Sequence, residues 1–282
     1  MAAGTTASGP VRRLSVSIIT ISRGTFSGGS ELAEHLHARL GYSLVSREIV
    51  AEAAQVYGVS EARLGEALEK GPGLLGRFGH DRRRYLAFVR AALCERAAHD
   101  DIVYHGHAGH LLLGGIRHVL RVRLIAPIEF RTAALRTRMG LGEEDAVRYI
   151  EKVDKERVRW TQFLYGADWR DPSLYDLVVN LEHVDLEGAC VAVAALAARP
   201  SFQADDASRR AMADLLLASR VAAILAADPE TANAEVDVRA KAGEVEIEGK
   251  IADPLLVSKV TERARSVSGV TGLRYGTRVM FE

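Results

Sequence analysis

The chain has 282 residues, of which 48% are hydrophobic and 26% charged, and a globular chain of this size can bury a full core without disulfides or a structural metal. Its 37 basic and 37 acidic residues give a formal net charge of zero at pH 7, so no overall charge draws it to nucleic acid or to an anionic membrane. We therefore expect no nucleic-acid partner, and any anion-binding site must be local. The two cysteines, Cys94 and Cys190, stand far apart in apolar stretches without a ligand motif, which predicts buried reduced thiols.

The N-terminal residues bear on where the protein resides. Residues 1–14 are small and polar, which predicts a disordered leader. The apolar run of residues 16–21 is too short for a signal peptide or a membrane span. In the absence of an export signal, we expect the protein in the cytoplasm.

Residues 15–198 alternate short β-rich runs with longer helical patterns, which is typical of a parallel sheet covered by helices. The continuous apolar run of residues 16–21 predicts a strand buried on both faces. Residues 58–79 are rich in glycine and contain Pro72, which predicts a mobile excursion between two helices. The pattern predicts an α/β three-layer sandwich with strands at 16–21, 42–45, 101–105, 119–126 and 174–180, and helices at 30–40, 47–57, 82–99, 127–138, 143–160 and 186–198.

The pattern changes after residue 198. Residues 199–207 are polar and contain a proline, and we interpret them as a linker between two domains. A helix at 209–226, two alternating strands at 235–241 and 244–251, a helix at 254–267 and a strand at 272–280 follow. The dipeptide Ala242–Gly243 predicts the turn between the two strands. This order predicts a small α+β domain at residues 208–282.

A glycine-rich loop, SRGTFSGGS at residues 22–30, joins the first predicted strand to the first helix. Such a loop brings free backbone amides and the positive end of a helix dipole to one point, where an anion can bind. The loop matches the Walker pattern G-x-x-x-x-G-K-[ST] at Gly28 and Ser30, whereas Arg23 replaces its first glycine and Gly29 its lysine. A plain tight turn is the alternative, but the position after the first buried strand of a parallel sheet favours phosphate binding.

Five longer segments follow one another in residues 15–195: ITISRGTFSGGSELAEHLHARLGYSLVSREIV, DIVYHGHAGHLLL, VRLIAPIEFR, EDAVRYIEKVDKERVRW and YGADWRDPSLYDLVVN. Together and in this order they resemble the cytidylate kinase-like family. The resemblance implies a P-loop nucleoside monophosphate kinase fold. It also implies transfer of the γ-phosphoryl group of ATP, with Mg²⁺, to CMP or dCMP.

The resemblance also implies roles for individual residues. Arg157 and Arg159 match arginines that fold over the transferring phosphoryl group, and Arg131 matches the arginine that starts the donor-side lid. Without the resemblance, these three would be assigned to a solvated helix face. In the loop, Arg23 would supply the cation of the missing lysine, and Ser30 would bind Mg²⁺. The donor phosphates would lie on Arg23, Ser27, Gly28, Gly29 and Ser30.

Three positions depart from the family pattern. Ser30 stands where the family has a basic residue, and Ser46, followed by Arg47, stands where it has an acidic residue that helps to hold the acceptor nucleoside. His107 replaces an arginine that grips the acceptor phosphate, and histidine is a weaker, pH-dependent cation. These departures leave an alternative open, namely a catalytically degenerate nucleotide-binding protein that acts as a sensor or regulator.

The C-terminal residues resemble a second family. Two valines, Val236 and Val238, precede a Gly-x-Val-x-Ile-x-Gly run that starts at Gly243, and Gly269 follows the second helix. This pattern is similar to a BON domain, which implies a binding role, often at a membrane or lipid surface. We expect a regulatory module with a protein or membrane-surface partner, and a stabilising appendage without a ligand is the alternative. The pattern does not indicate an oligomeric state.

Overall fold

A computed structural model describes residues 17–69, 78–99, 101–106, 108–251 and 253–276, and the statements below concern these residues. The predicted leader at residues 1–14 lies outside them, as does the predicted substrate residue His107. Cys94 and Cys190 are both buried and free, as predicted.

Five parallel strands form the large sheet in the order β2-β3-β1-β4-β5, which confirms the predicted five-stranded parallel sheet. β1 is the central strand, and its three isoleucines, Ile18, Ile19 and Ile21, are fully buried on its two faces. Its residue Ile21 pairs with His105 on one side and with Val122 on the other, so the carboxyl ends of three strands meet at one edge. The strands are β1 (Ile18–Arg23), β2 (Ser43–Val45), β3 (Ile102–His105), β4 (Val119–Ile125) and β5 (Leu177–Asn180).

Helices cover both faces of this sheet and complete the predicted three layers. One face packs Ile19 and Ile21 against α1 and α8, and the other packs Ile18 against α2 and α4. The helices are α1 (Gly29–Leu40), α2 (Glu48–Tyr57), α3 (Glu61–Glu69), α4 (Phe78–Ala97), α5 (Gly109–Leu112), α6 (Ile128–Met139), α7 (Glu143–Tyr165) and α8 (Leu186–Ala197).

Much of the predicted excursion at residues 58–79 is helical in the part that the structure describes, and its mobility stays a prediction. Helix α3 occupies nine of these residues, and α4 begins at Phe78. Leu64 is fully buried in the core, which anchors α3 despite the helix-weakening Gly65 beside it. Tertiary packing therefore outweighs the local glycine signal here.

A second, three-stranded sheet follows with the predicted order of elements. β6 pairs with β7 antiparallel and β7 pairs with β8 parallel. Ala242 and Gly243 both have positive φ, 50° and 88°, as a tight hairpin turn requires. The elements are α9 (Asp206–Ala227), β6 (Glu235–Lys241), β7 (Glu244–Lys250), α10 (Pro254–Arg265) and β8 (Gly272–Tyr275).

Helix α9 packs against both parts of the chain. Met212 and Ala223 belong to the core that contains α4, whereas Leu217 and Val221 belong to the core beneath the small sheet. The helix begins three residues earlier than predicted because Asp205 caps it. The division at residues 199–207 into two domains stays a prediction.

Within the described ranges, no helix combines the length and apolarity that a membrane crossing requires.

Candidate phosphate-binding site

The loop after β1 leaves a helix N-terminus open to an anion. Gly28 is the N-cap of α1 with a φ of 75°, a conformation that glycine adopts without a steric penalty. No described side chain caps this helix, so its first amides keep free hydrogen-bonding capacity. The Oγ atom of Ser27 is buried in the same loop and has no partner among the described residues.

Arg23 lies across the start of α1. A Cβ atom added to Gly29 would overlap the Cδ atom of Arg23 and would come 2.8 Å from its Nε atom. The glycine therefore creates the space that the arginine side chain fills. Burial lowers the pKa of the Arg23 guanidinium, and the nearby Glu31 carboxylate opposes this shift. Arg23 thus brings a positive charge to the position at which the Walker pattern has its lysine.

Helices α6 and α7 are attached to the same loop by side-chain hydrogen bonds. Arg131 donates from Nε to the carbonyl oxygen of Thr25 at 2.8 Å. Asp154 accepts at Oδ1 from the backbone nitrogen and the Oγ1 hydroxyl of Thr25, at 3.1 and 2.7 Å. Arg157 donates from Nη1 to the carbonyl oxygen of Arg23 at 2.6 Å. The resemblance assigned Arg131 to the donor-side lid and Arg157 to the transferring phosphoryl group. Both arginines therefore contact the loop directly.

The cluster carries more positive than negative charge. Burial, reinforced by the charge of Arg23, lowers the pKa of Arg157 to about 10, and the carboxylate of Asp154 opposes this shift. Arg123, on β4, is buried with its guanidinium 4.2 Å from the ring centroid of Trp169. Among the described carboxylates, Asp154 is the one that forms ion pairs with Arg131 and Arg157. Such a surplus of buried cations favours an anionic ligand.

A buried polar network supports this wall of the site. The Tyr175 hydroxyl donates to the carbonyl oxygen of Trp169 at 2.6 Å and lies 3.3 Å from Nε2 of His110. Burial, with the charges of Arg121 and Arg123, lowers the pKa of His110 to about 4. His110 is therefore neutral at pH 7.

Arg159 differs from Arg157 in its surroundings. It is exposed, and it lines a cavity of about 690 Å³ that also contains Arg131, Lys155 and Arg170. Gly24 and Ser27 of the loop form part of the wall of this cavity. Arg159 is therefore close to the loop, but it forms no hydrogen bond to the loop among the described residues.

The predicted acceptor residues Ser46 and Arg47 lie at the start of α2, on the opposite side of β1 from β4. Ser46 donates from its backbone nitrogen and its hydroxyl to the two carboxylate oxygens of Glu48, at 2.6 and 2.9 Å. Glu48 thus places a carboxylate two residues after the position at which the family pattern has one. His105, at the end of β3, has its pKa lowered by burial and then by the charge of Arg23.

Ser30, the predicted metal ligand, donates from Oγ to Glu31 at 2.9 Å. The described residues contain no group of three His, Cys, Asp or Glu that could hold a metal ion.

Sequence reasoning missed several residues of the cluster. Asp154 could have been found, because it stands three residues before Arg157 and such a pair shares one helix face. Arg123 left a weaker signal, as a charged residue inside an otherwise buried strand. Thr25 left none, since its role depends on a contact with a helix 129 positions away.

Comparison with known proteins agrees with this geometry. The model of the Cytidylate kinase-like family matches residues 18–183, which is more than half of the chain. The chain belongs to the cytidylate kinase-like family. The cytidylate kinase of Ignicoccus hospitalis is 30% identical over 168 residues, which cover 58% of this chain and 90% of that protein. The cytidylate kinase of Methanopyrus kandleri is 28% identical over 172 residues, covering 58% and 83%.

A solved structure supports the fold. A crystal structure of an uncharacterized protein from Eubacterium ventriosum superposes with a TM-score of 0.52 at 20% identity, covering 64% of this chain and 97% of that one. The cytidylate kinase-like match ends at residue 183, so the resemblance of residues 208–282 to a BON domain stays a prediction.

Proposed function

We propose that the protein transfers the γ-phosphoryl group of ATP to a pyrimidine nucleoside monophosphate, CMP or dCMP. The observation that carries this proposal is the convergence of Arg23, Arg131 and Arg157 on one glycine loop at a helix N-terminus. Phosphoryl transfer requires positioning and positive charge rather than a covalent catalyst, and this cluster supplies both. Membership of the cytidylate kinase-like family supports the same reaction.

The loop would hold the donor phosphates. The amides at the start of α1 and the hydroxyl of Ser27, which has no partner in the part of the chain that the structure describes, are hydrogen-bond donors. Arg23 adds the charge that a lysine supplies in other P-loops. Gly28 and Gly29 add no side chains of their own, and the space that Gly29 leaves is the one that Arg23 fills. Mg²⁺, when bound, would neutralise phosphate charge, and Ser30 is the residue of the loop that would contact it.

A second cavity adjoins the loop and suits the base of the donor nucleotide. It has a volume of about 510 Å³, and the apolar side chains of Phe130 and Leu186 line it. Leu186, Leu181 and Phe130 all lie within 4 Å of where a Cβ atom on Gly28 would stand. A base in this cavity would place its phosphates next to the loop.

Charge on the transferring group would be balanced from α6 and α7. Arg131 and Arg157 are already beside the loop, and Arg159 can reach the adjoining cavity. On the acceptor side, Ser46, Arg47 and His107 are the proposed substrate contacts, with Glu48 as the carboxylate that the family pattern places at residue 46.

The test is an ADP-release assay on the purified protein with Mg-ATP and CMP, dCMP, UMP or AMP in turn. We expect turnover with CMP or dCMP and much less with AMP. Calorimetry of Mg-ATP and CMP separately, on wild type and Arg23→Ala, should show weaker ATP binding in the variant. Arg148→Ala is the matched control, because Arg148 is exposed on α7 and pairs only with surface carboxylates among the described residues.

Absence of ADP with every monophosphate would contradict the proposed kinase activity. Binding of ATP without turnover would then favour the sensor. Binding of neither nucleotide would make the loop a structural remnant.

A further inference from the structure

Among the described residues, Asp154 contacts the loop, Arg131 of α6 and Arg157 of α7. Its Oδ1 atom accepts two hydrogen bonds from Thr25 of the loop, and its Oδ2 atom accepts one from Nη2 of Arg131 on α6 at 2.5 Å. Its Oδ1 atom is also 3.8 Å from Nη1 of Arg157, one helical turn further along α7. A single carboxylate therefore joins the loop and both arginine helices.

We propose that Asp154 is a positioning residue, which docks α7 on the phosphate loop and holds Arg131 and Arg157 where the transferring phosphoryl group would lie. The inference rests on the proposed kinase activity for its catalytic consequence. The docking itself is a property of the nucleotide-free protein.

Three observations argue that these contacts dock α7 on the loop and are not incidental pairings of surface charges. The side chains of Asp154, Arg131 and Arg157 are 23%, 13% and 16% exposed, so these ion pairs are shielded from water and differ from surface pairs. Charge-assisted hydrogen bonds of this kind are also the stronger class. Among the described residues, Asp154 is the acceptor for the backbone nitrogen of Thr25, so this loop amide depends on the carboxylate.

The charge of Asp154 also matters for Arg157. The groups that face Arg157 are Arg23 on β1, Arg123 on β4, Arg131 on α6 and Asp154 on α7. Three of these four are cations, which favour loss of the Arg157 proton, and Asp154 alone opposes it. Removing the negative charge should therefore lower the pKa of Arg157 further below its value of about 10.

The first experiment compares the pH dependence of kcat in wild type, Asp154→Asn and Asp145→Asn. Asp145 is the matched control, because it lies on the same helix and pairs only with exposed Arg148 among the described residues. We expect Asp154→Asn to lower kcat by about 100-fold, the typical effect of small misplacement, with a much smaller change in KM for ATP. In the pH profile of kcat, the fall in rate at high pH should also begin at a lower pH in Asp154→Asn than in wild type. The inference would be overturned if Asp154→Asn had the same kcat as Asp145→Asn and the same pH at which kcat begins to fall at the alkaline side.

The second experiment does not depend on turnover. Hydrogen exchange of the loop amides, measured without nucleotide, should be about tenfold faster in Asp154→Ala than in wild type, because the Thr25 amide loses a charge-assisted hydrogen bond. Thr25→Val, which loses only the Oγ1 contact, should show a smaller increase, and Asp145→Ala none. Unchanged exchange in Asp154→Ala would overturn the docking role. If the wild-type protein released no ADP but the variants showed this exchange pattern, the kinase proposal would be contradicted. The docking role would still be supported.

Discussion

At the scale of single residues, Arg23 and Gly29 form one unit. Gly29 departs from the Walker pattern by the loss of a lysine, and its missing Cβ is what lets the Arg23 side chain cross the helix start. In the proposed function, the cation would therefore come from six positions earlier in the chain. A pattern that scores each position separately finds two defects here, whereas the structure shows that the two positions are coupled by packing.

This coupling predicts the effect of Gly29→Ala. The added methyl group would displace Arg23 from the helix start, and we expect Mg-ATP binding to weaken by about 10- to 100-fold, the cost of a lost charge-assisted contact. The double variant Gly29→Ala with Arg23→Ala should bind no more weakly than Arg23→Ala alone, because both changes remove the same interaction. Calorimetry of the four proteins measures this cycle.

Gly65→Ala serves as the control for that cycle. Gly65 lies inside helix α3 with nothing within 4 Å of an added Cβ, so this change should leave ATP binding unaffected. It should raise the free energy of unfolding by roughly 0.5–1 kcal/mol, as is typical of glycine to alanine in a helix. Additive effects of Gly29→Ala and Arg23→Ala would show that the two residues act separately.

At the scale of elements, helix α7 separates two arginines that the sequence pattern treats alike. Residues two apart on a helix point in directions about 200° apart, as 3.6 residues make one turn. Arg157 is held against the loop, whereas Arg159 is exposed at the adjoining cavity. The two arginines therefore differ in their surroundings.

We therefore expect Arg157→Ala and Arg159→Ala to differ. Arg157→Ala should lower kcat by at least about 100-fold, because it removes a preorganised cation from the proposed reaction centre. Arg159→Ala should lower it by about tenfold or less, since this side chain must reorganise before it can act. Single-turnover rates with Mg-ATP and CMP distinguish the two, and equal losses would contradict the assignment.

The elements also show what a sequence pattern can and cannot predict. The strands of the large sheet were found because apolar runs such as residues 16–21 reflect burial directly. Helix α3 was missed because the buried contact of Leu64 outweighs Gly65. The fifth strand begins at Leu177 rather than at residue 174, because Asp171 caps a short 3-10 turn at Pro172–Leu174 first.

The candidate site divides in the same way. The glycine loop and its arginines were predictable, because their spacing matches a family pattern. Glu48 was not, since the acidic position shifts by two residues and the link appears only in the hydrogen bonds of Ser46. Contacts across more than 100 residues, such as that between Thr25 and Asp154, leave no local signal in a single sequence.

At the scale of the whole molecule, one apolar core runs from the large sheet through α4 to α9. Met212 and Ala223 on α9 are 3% and 0% exposed in that core. Beside it, Arg220 forms a two-bond ion pair with Glu95 of α4, at 2.5 and 2.7 Å. The small sheet packs on the other side of the same helix.

This arrangement predicts that the chain unfolds as one unit. Met212→Ala should lower the free energy of unfolding by about 2–5 kcal/mol, the usual cost of a cavity in a core. In denaturant titrations, near-UV and far-UV circular dichroism should shift together. Leu255→Ala, at a position 65% exposed on α10, should change little. Two separate transitions in wild type would contradict a shared core.

The outer face of the small sheet bears on its expected partner. Three glutamates, Glu244, Glu246 and Glu248, alternate with buried residues along β7. Arg239 and Arg274 pair with two of them at 3.4 Å. Among the described residues this face thus mixes acidic and basic side chains, and a partner for the C-terminal residues stays a prediction.

Because α9 contributes to two cores at once, the C-terminal residues cannot be exchanged for another domain without loss of core contacts. A chimaera that joins a foreign tail to this kinase-like part at residue 205 would leave the apolar side of α4 facing water. If these C-terminal residues were instead joined to another protein, the side of α9 that packs against α4 would face water. A workable exchange would have to move α4 and α9 as a matched pair.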